Sequence, residues 1–211
     1  MDSLSIILSL VLLYGGIRLL YSFATLESQK LLMFALALIF YFLSSLVWVV
    51  SFFHVDQSTL FLITAISSWL QVTGVSFALC GLAIENWEDR PPVARFPYAL
   101  AFAPVLLILS YGFVFQTVFL KELILALYEA GALFIGLMLF ILFTVKNANY
   151  LYTVIGNALL LLSFAVYWFP GDLVADQPWI WQLIAIIAIP IIVQGYLSAT
   201  RKVLQERESD F

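Results

Sequence analysis

Seven stretches of about twenty or more predominantly apolar residues divide this chain, and each is long enough to cross a hydrocarbon layer about 30 Å thick at a helical rise of about 1.5 Å per residue. They run Leu4 to Phe23, Leu31 to Phe53, Leu60 to Ile84, Phe96 to Phe115, Lys121 to Val145, Tyr150 to Phe169 and Pro178 to Thr200. The runs are continuously apolar and lack the period-two alternation of lumen-facing strands, which argues against a β-barrel. Only 10% of the residues are charged, where a globular domain carries about a quarter, so little of the chain is fit to face water. The sequence therefore predicts an all-α fold: one seven-helix transmembrane domain over residues 1–200, followed by a short cytoplasmic helical tail over residues 201–211.

The cations orient this bundle. Once the chain is cut into its seven segments, Arg18, Lys30, Arg90, Arg95, Lys146, Arg201, Lys202 and Arg207 fall on one side and Lys121 on the other. Lys and Arg near span ends resist translocation, so the first group marks the inside, with the N-terminus out and the C-terminus cytoplasmic. That is the topology expected of a multi-pass protein of the cell (plasma or inner) membrane. Asp2 stands where a cleaved signal would carry cations, so the first segment is expected to be a retained helix.

Short connections leave no room for a soluble catalytic domain. The longest, Glu85 to Arg95, places Glu88, Asp89, Arg90 and Arg95 beside Pro91 and Pro92 on the inside, and it is the candidate contact surface for a protein partner. Trp87 on the inner side and Trp168, Trp179 and Trp181 on the outer side fall near span ends, where indole rings anchor in the headgroup zone. An internal repeat is also suggested. Leu13 to Gly16 echoes Leu127 to Gly131, Ser45 to Trp48 echoes Ser163 to Trp168, and Leu62 to Ile66 echoes Leu183 to Ile187, which would make a 3+1+3 plan of parallel repeats.

Polar groups in hydrocarbon are costly unless paired, so an ionisable one is a functional candidate. Glu129 is the outstanding case, about 12 Å along its segment from Lys121. Counting rise per residue places Gln71, Asn157, Ser45 and Ser163 at comparable depths, and the five form a candidate intramembrane polar site. Packing glue between helices and contact with an ion or ligand are both open readings for it. Arg18 and Lys121 lie near span ends and are expected to snorkel. Pro190 lacks an N–H and is expected to kink the seventh segment, with Gln194 four residues beyond it. Gly74, Ala78 and Gly81 form a small-residue stripe that lets a neighbour approach the third segment closely.

Several chemistries lack their residues. A single histidine, His54, beside Asp56 in an outer loop cannot supply a histidine-bound zinc or a bis-histidine haem, and one cysteine, Cys80, cannot form an internal dithiol. No metal and no cofactor is expected, and no catalytic constellation is found. The net charge of −4 without any dense basic run excludes nucleic acid as a partner. A retinal-bearing lysine in the seventh segment, required of a microbial rhodopsin, is absent. So is the Pro-Gln signature of SWEET sugar transporters in the first and fifth.

The short loops, the stretch Ser44-Ser45-Leu46-Val47-Trp48 in the second segment, and Leu70-Gln71 followed by Gly74 in the third resemble the seven-helix sensor regions of prokaryotic signalling proteins. That resemblance implies a bundle that passes a signal to a separate partner. Together these features predict a non-enzymatic membrane protein acting by association, as a sensor-like module or an accessory subunit with a membrane or cytoplasmic protein partner. The alternative is a small-solute or ion transporter or channel built on Glu129 and its polar neighbours. A small-molecule or lipid ligand held between aromatic walls is a third reading.

Overall fold

A computed structural model of the chain describes residues 3–50, 57–84, 118–169, 177 and 179–209. Among these the regular structure is helical: α1 (Ser3–Leu26), α2 (Gln29–Val50), α3 (Gln57–Ile84), α4 (Val118–Lys146), α5 (Leu151–Trp168) and α6 (Trp179–Ser209), with a 3-10 turn (Ala148–Tyr150) joining α4 to α5. Each long helix is apolar and long enough to cross a membrane, the architecture of a multi-pass membrane protein. Apolar runs of this length become helices because hydrocarbon offers no partner to backbone N–H and C=O groups, which must bond within the segment. The six coincide with six of the seven apolar segments. The remaining segment, Phe96 to Phe115, lies outside the described residues, as do the loop residues Glu88, Asp89, Arg90 and Arg95 and also His54.

Tight turns set the α1–α2 and α4–α5 hairpins. Glu27 leaves α1 with φ 50°, and its N–H bonds the Phe23 carbonyl at 2.8 Å, a left-handed helix end of the kind usually given to glycine. Two residues later α2 has begun. Between α4 and α5, the Asn147 side chain accepts from the Asn149 N–H at 3.0 Å and donates to the Ala199 carbonyl at 3.4 Å, which ties that turn to α6.

The described helices pack in a ring in which each touches its sequence neighbours and α6 closes onto α1. Contacts fix their relative directions. Along α1 and α6, Ser5 meets Gln182, Gly15 meets Ile189 and Val193, and Arg18 meets Gln194, so these two helices run parallel. Along α3 and α4, Val72 packs with Leu125, Ser76 bonds Tyr128, and Leu82 faces Gly136, so these also run parallel. Within each hairpin the helices are antiparallel. In consequence Lys30, Lys146, Arg201 and Lys202 all stand at one end of the bundle and Lys121 at the other.

Two helix pairs approach closely through glycine. A Cβ on Gly81 of α3 would lie 2.9 Å from the Phe34 ring of α2, and one on Gly195 of α6 would lie 2.6 Å from the Thr153 nitrogen of α5. Small residues at such crossings permit the close backbone packing that drives helix association in lipid. The core holds Leu12, Leu19, Leu31, Ile189, Val193 and Leu197 with Phe140, Tyr150 and Tyr196. Near the end that carries Lys30, Lys146 and Lys202, Phe34, Phe140, Phe143, Tyr150 and Tyr196 pack into one aromatic cluster, with the Phe34 and Tyr196 centroids 4.6 Å apart in an edge contact. At the opposite end Tyr167 packs edge-on against Trp168 and Trp181, as expected of rings in a headgroup zone.

Candidate functional site

Glu129 lies on α4, and its carboxylate accepts a hydrogen bond from the Tyr41 hydroxyl of α2 at 3.1 Å. These two helices are not neighbours in the ring, so the bond spans the interior. Gly74 of α3 makes the span workable. A Cβ there would stand 3.0 Å from Tyr41 Cδ2 and 3.1 Å from the Ala37 carbonyl, so the tyrosine ring lies directly over the bare glycine and reaches past α3 to α4. Beside it, the Ser76 and Tyr128 hydroxyls are 3.3 Å apart, and Ser76 also donates to the Val72 carbonyl. Tyrosine hydroxyls thus flank the carboxyl-bearing turn of α4, a polar strip inside an otherwise apolar seam.

The other expected members of the site take different partners. The Asn157 amide donates to the Leu133 carbonyl of α4 at 3.1 Å, where Gly136 leaves it room. Ser163 donates to the Trp181 carbonyl of α6 at 2.7 Å, and Ser45 returns its hydroxyl to the Phe42 carbonyl of its own helix at 2.7 Å. Gln71 is half-buried on α3, about 7 Å along the helix from Ser76. Shared depth does not bring these residues to one another: each is placed by its own helix pair, and Glu129 meets a tyrosine that depth counting did not consider.

A second polar group stands on the outside of the ring. The Arg18 guanidinium donates to Gln194 Oε1 at 2.7 Å and to the Tyr14 hydroxyl at 3.4 Å, and it lies 6.0 Å from the Tyr14 ring centroid. The sequence reading has Arg18 snorkel toward the near end of α1; its guanidinium is taken up by Tyr14, one turn earlier on the same helix, and by Gln194, which stands level with it on the parallel neighbour. The signal available in the sequence was the matched position of the pair, each eight residues short of the last residue of an apolar span. Pro190, exposed one turn before Gln194, interrupts the α6 hydrogen-bond ladder on this side.

Among the described residues there is no group of three or more His, Cys, Asp or Glu side chains able to hold a metal. Cys80 is buried on α3, one turn beyond Ser76. The chemistry on offer is a lone carboxylate with a hydroxyl donor inside the ring, and a lone cation with neutral partners outside it. Comparison of the chain with family models, with curated proteins and with solved structures finds no match.

Proposed function

We propose that this chain is a seven-crossing membrane protein that works by association, as an accessory subunit or sensor-like module whose partner engages the membrane-embedded face of α1 and α6. The observation that carries the reading is Arg18. It is a cation in the middle third of an apolar helix, on a face where Tyr14 is 60% exposed, and neither of its side-chain partners neutralises it. Insertion of an arginine at a helix centre costs roughly 2.5–3.5 kcal/mol, and such residues mark functional contacts.

The parallel direction of α3 and α4 supports seven crossings, because a further span between them would bring the chain back to the starting face, and Phe96 to Phe115 is long and apolar enough to be that span. Collection of Lys30, Lys146, Arg201 and Lys202 at one end, against Lys121 at the other, supports a cytoplasmic C-terminus by the positive-inside rule. Pairwise contacts support a duplication as well. Ser44 with Ser67, Ala37 with Gly74, and Met33 and Phe34 with Gly81 in α2 and α3 correspond to Ser163 with Trp181, Gly156 with Ala188, and Tyr152 and Thr153 with Gly195 in α5 and α6. Every α5 residue named lies 119 positions after its α2 counterpart, and every α6 residue 114 after its α3 counterpart. This register pairs Ser163 with Ser44 instead of Ser45, and it sets aside the match of Leu62 with Leu183.

Extraction from the native membrane into a mild detergent, followed by mass measurement of the intact particle, tests association. A particle heavier than one chain plus bound lipid is expected. A homogeneous single chain, with no crosslinked protein before extraction, would overturn the reading.

A second reading, small-solute or ion handling, is favoured by the Tyr41–Glu129 bond. The carboxylate is bonded across helices that do not touch, while aromatic residues pack the core about 16 Å further along α4, near Phe140. That arrangement fits a pocket entered from the Lys121 end better than an open channel. Counterion- or solute-dependent thermal stabilisation that vanishes in Glu129→Gln would support it, and indifference to every small ion and solute tried would remove it.

A further inference from the structure

We infer that the partner element docking at Arg18 is a transmembrane helix carrying a carboxylate at mid-span. The inference rests on the association reading above and supplies the chemistry of its interface.

Depth comes first. The middle of α1 falls between Tyr14 and Gly15, so Arg18 lies about 5 Å beyond it along the axis. A snorkelling arginine would extend its guanidinium away from the midplane. Here one N–H reaches back to Tyr14, a turn nearer the middle, and another bonds Gln194 at the level of Arg18 itself. The charge therefore stays deep in the hydrocarbon.

Charge comes next. Tyr14 and Gln194 accept hydrogen bonds but carry no charge, and among the described residues no carboxylate pairs with Arg18. Glu129 is the one carboxylate within the described spans away from their ends, and Tyr41 of another part of the ring already holds it. A second copy docking through the same face would present an identical Arg18 and repel it, and through any other described face its one mid-span carboxylate, Glu129, is already held by Tyr41, so the complement comes from a different protein. A phospholipid phosphate lies outside the hydrocarbon, about 15 Å from the midplane, too far from a guanidinium turned inward. What remains is a carboxylate carried into the hydrocarbon by its own helix, where low dielectric makes the ion pair with a forked guanidinium favourable.

The surface suits a helix. Ile17 and Tyr21 of α1 and Ile187 of α6 are each at least half exposed around the pair, and Pro190 is exposed beside Gln194, which gives an apolar rim about one polar centre.

The test reconstitutes the full chain in phosphatidylcholine vesicles at pH 8 with a fluorescent Leu-rich transmembrane peptide bearing a single central Glu, and reads association by energy transfer. Binding at least tenfold tighter than to the matching Gln peptide is expected. Arg18→Gln should abolish the preference and Arg18→Lys retain part of it, with unchanged helical circular dichroism showing that both variants fold. Equal binding of the two peptides, a preference that survives Arg18→Gln, or loss of the preference on adding phosphatidylglycerol would overturn the inference, the last by assigning the site to lipid phosphate. A native particle containing a partner that lacks any intramembrane carboxylate would sink this proposal and leave the association reading standing.

Discussion

Tyr41 and Glu129 are 88 residues apart in sequence and 3.1 Å apart in space, joined across the inside of the helix ring over a glycine of the helix between them. The bond couples the first hairpin to α4 at a point where backbone contact is absent. Removing its donor leaves a carboxyl group in hydrocarbon without that partner. Tyr41→Phe is expected to lower stability by about 1–2 kcal/mol, in the range of an unsatisfied buried acceptor. Glu129→Gln keeps a carbonyl acceptor and should cost less. Thermal unfolding of both variants in one detergent checks the order, and a Glu129→Gln loss larger than that of Tyr41→Phe would contradict it.

Gly74 is expected to act through Tyr41. An added methyl would press on the ring at 3.0 Å and on the Ala37 carbonyl at 3.1 Å, and only the ring is free to swing. Swinging it breaks the bond to Glu129. Gly74→Ala and Tyr41→Phe should therefore be non-additive, with a coupling of about 0.5–3 kcal/mol typical of residues in contact. A double-mutant cycle on unfolding free energies measures this, and strict additivity would show that the glycine positions nothing.

The helices themselves were legible because continuous apolar runs leave the backbone no alternative in lipid. Observed bounds such as Ser3–Leu26 against Leu4 to Phe23, and Leu151–Trp168 against Tyr150 to Phe169, differ only at the ends. Partner choice was not legible. A helix that is apolar all round carries no periodic signal of which face meets which neighbour. Depth along the chain could align Ser45, Gln71, Asn157 and Ser163 with Glu129, but it could not say that Asn157 turns to Leu133 or that Tyr41 crosses to Glu129. The Arg18–Gln194 pair was hidden for the same reason, since it depends on α1 and α6 being parallel neighbours.

Glu27 is the one described non-glycine residue with positive φ, at 50°, and a left-handed conformation costs an L-residue roughly 1–2 kcal/mol. Glu27→Gly should recover part of that cost, less the added freedom of glycine in the unfolded chain. A gain of about 0.5 kcal/mol is expected, with Glu27→Val losing about 1 kcal/mol or more because a β-branched side chain fits that region worst. Both are read from thermal unfolding, and stabilisation by valine would refute the argument.

Two glycines should respond oppositely to the same substitution. At Gly195 a methyl would sit 2.6 Å from the Thr153 nitrogen and 2.8 Å from its Oγ1, and backbone on a neighbouring helix cannot step aside as a flexible side chain can. Gly195→Ala must therefore push α6 off α5, where Gly156 already meets Ile192 and Ala188 closely. Overpacking typically costs about 1–3 kcal/mol, and the rigid obstacle places this case toward the top of that range. At Gly131 nothing lies within 4 Å of the added atom, so Gly131→Ala meets open space in the middle of α4. There the change in helix propensity acts alone and favours alanine by up to about 1 kcal/mol in an exposed helix. Unfolding of the two variants side by side in detergent should show a large loss for Gly195→Ala and no loss for Gly131→Ala. A similar loss at both positions would mean that α4 is seated against a neighbour at Gly131 as tightly as α6 is at Gly195, contrary to the open space around Gly131.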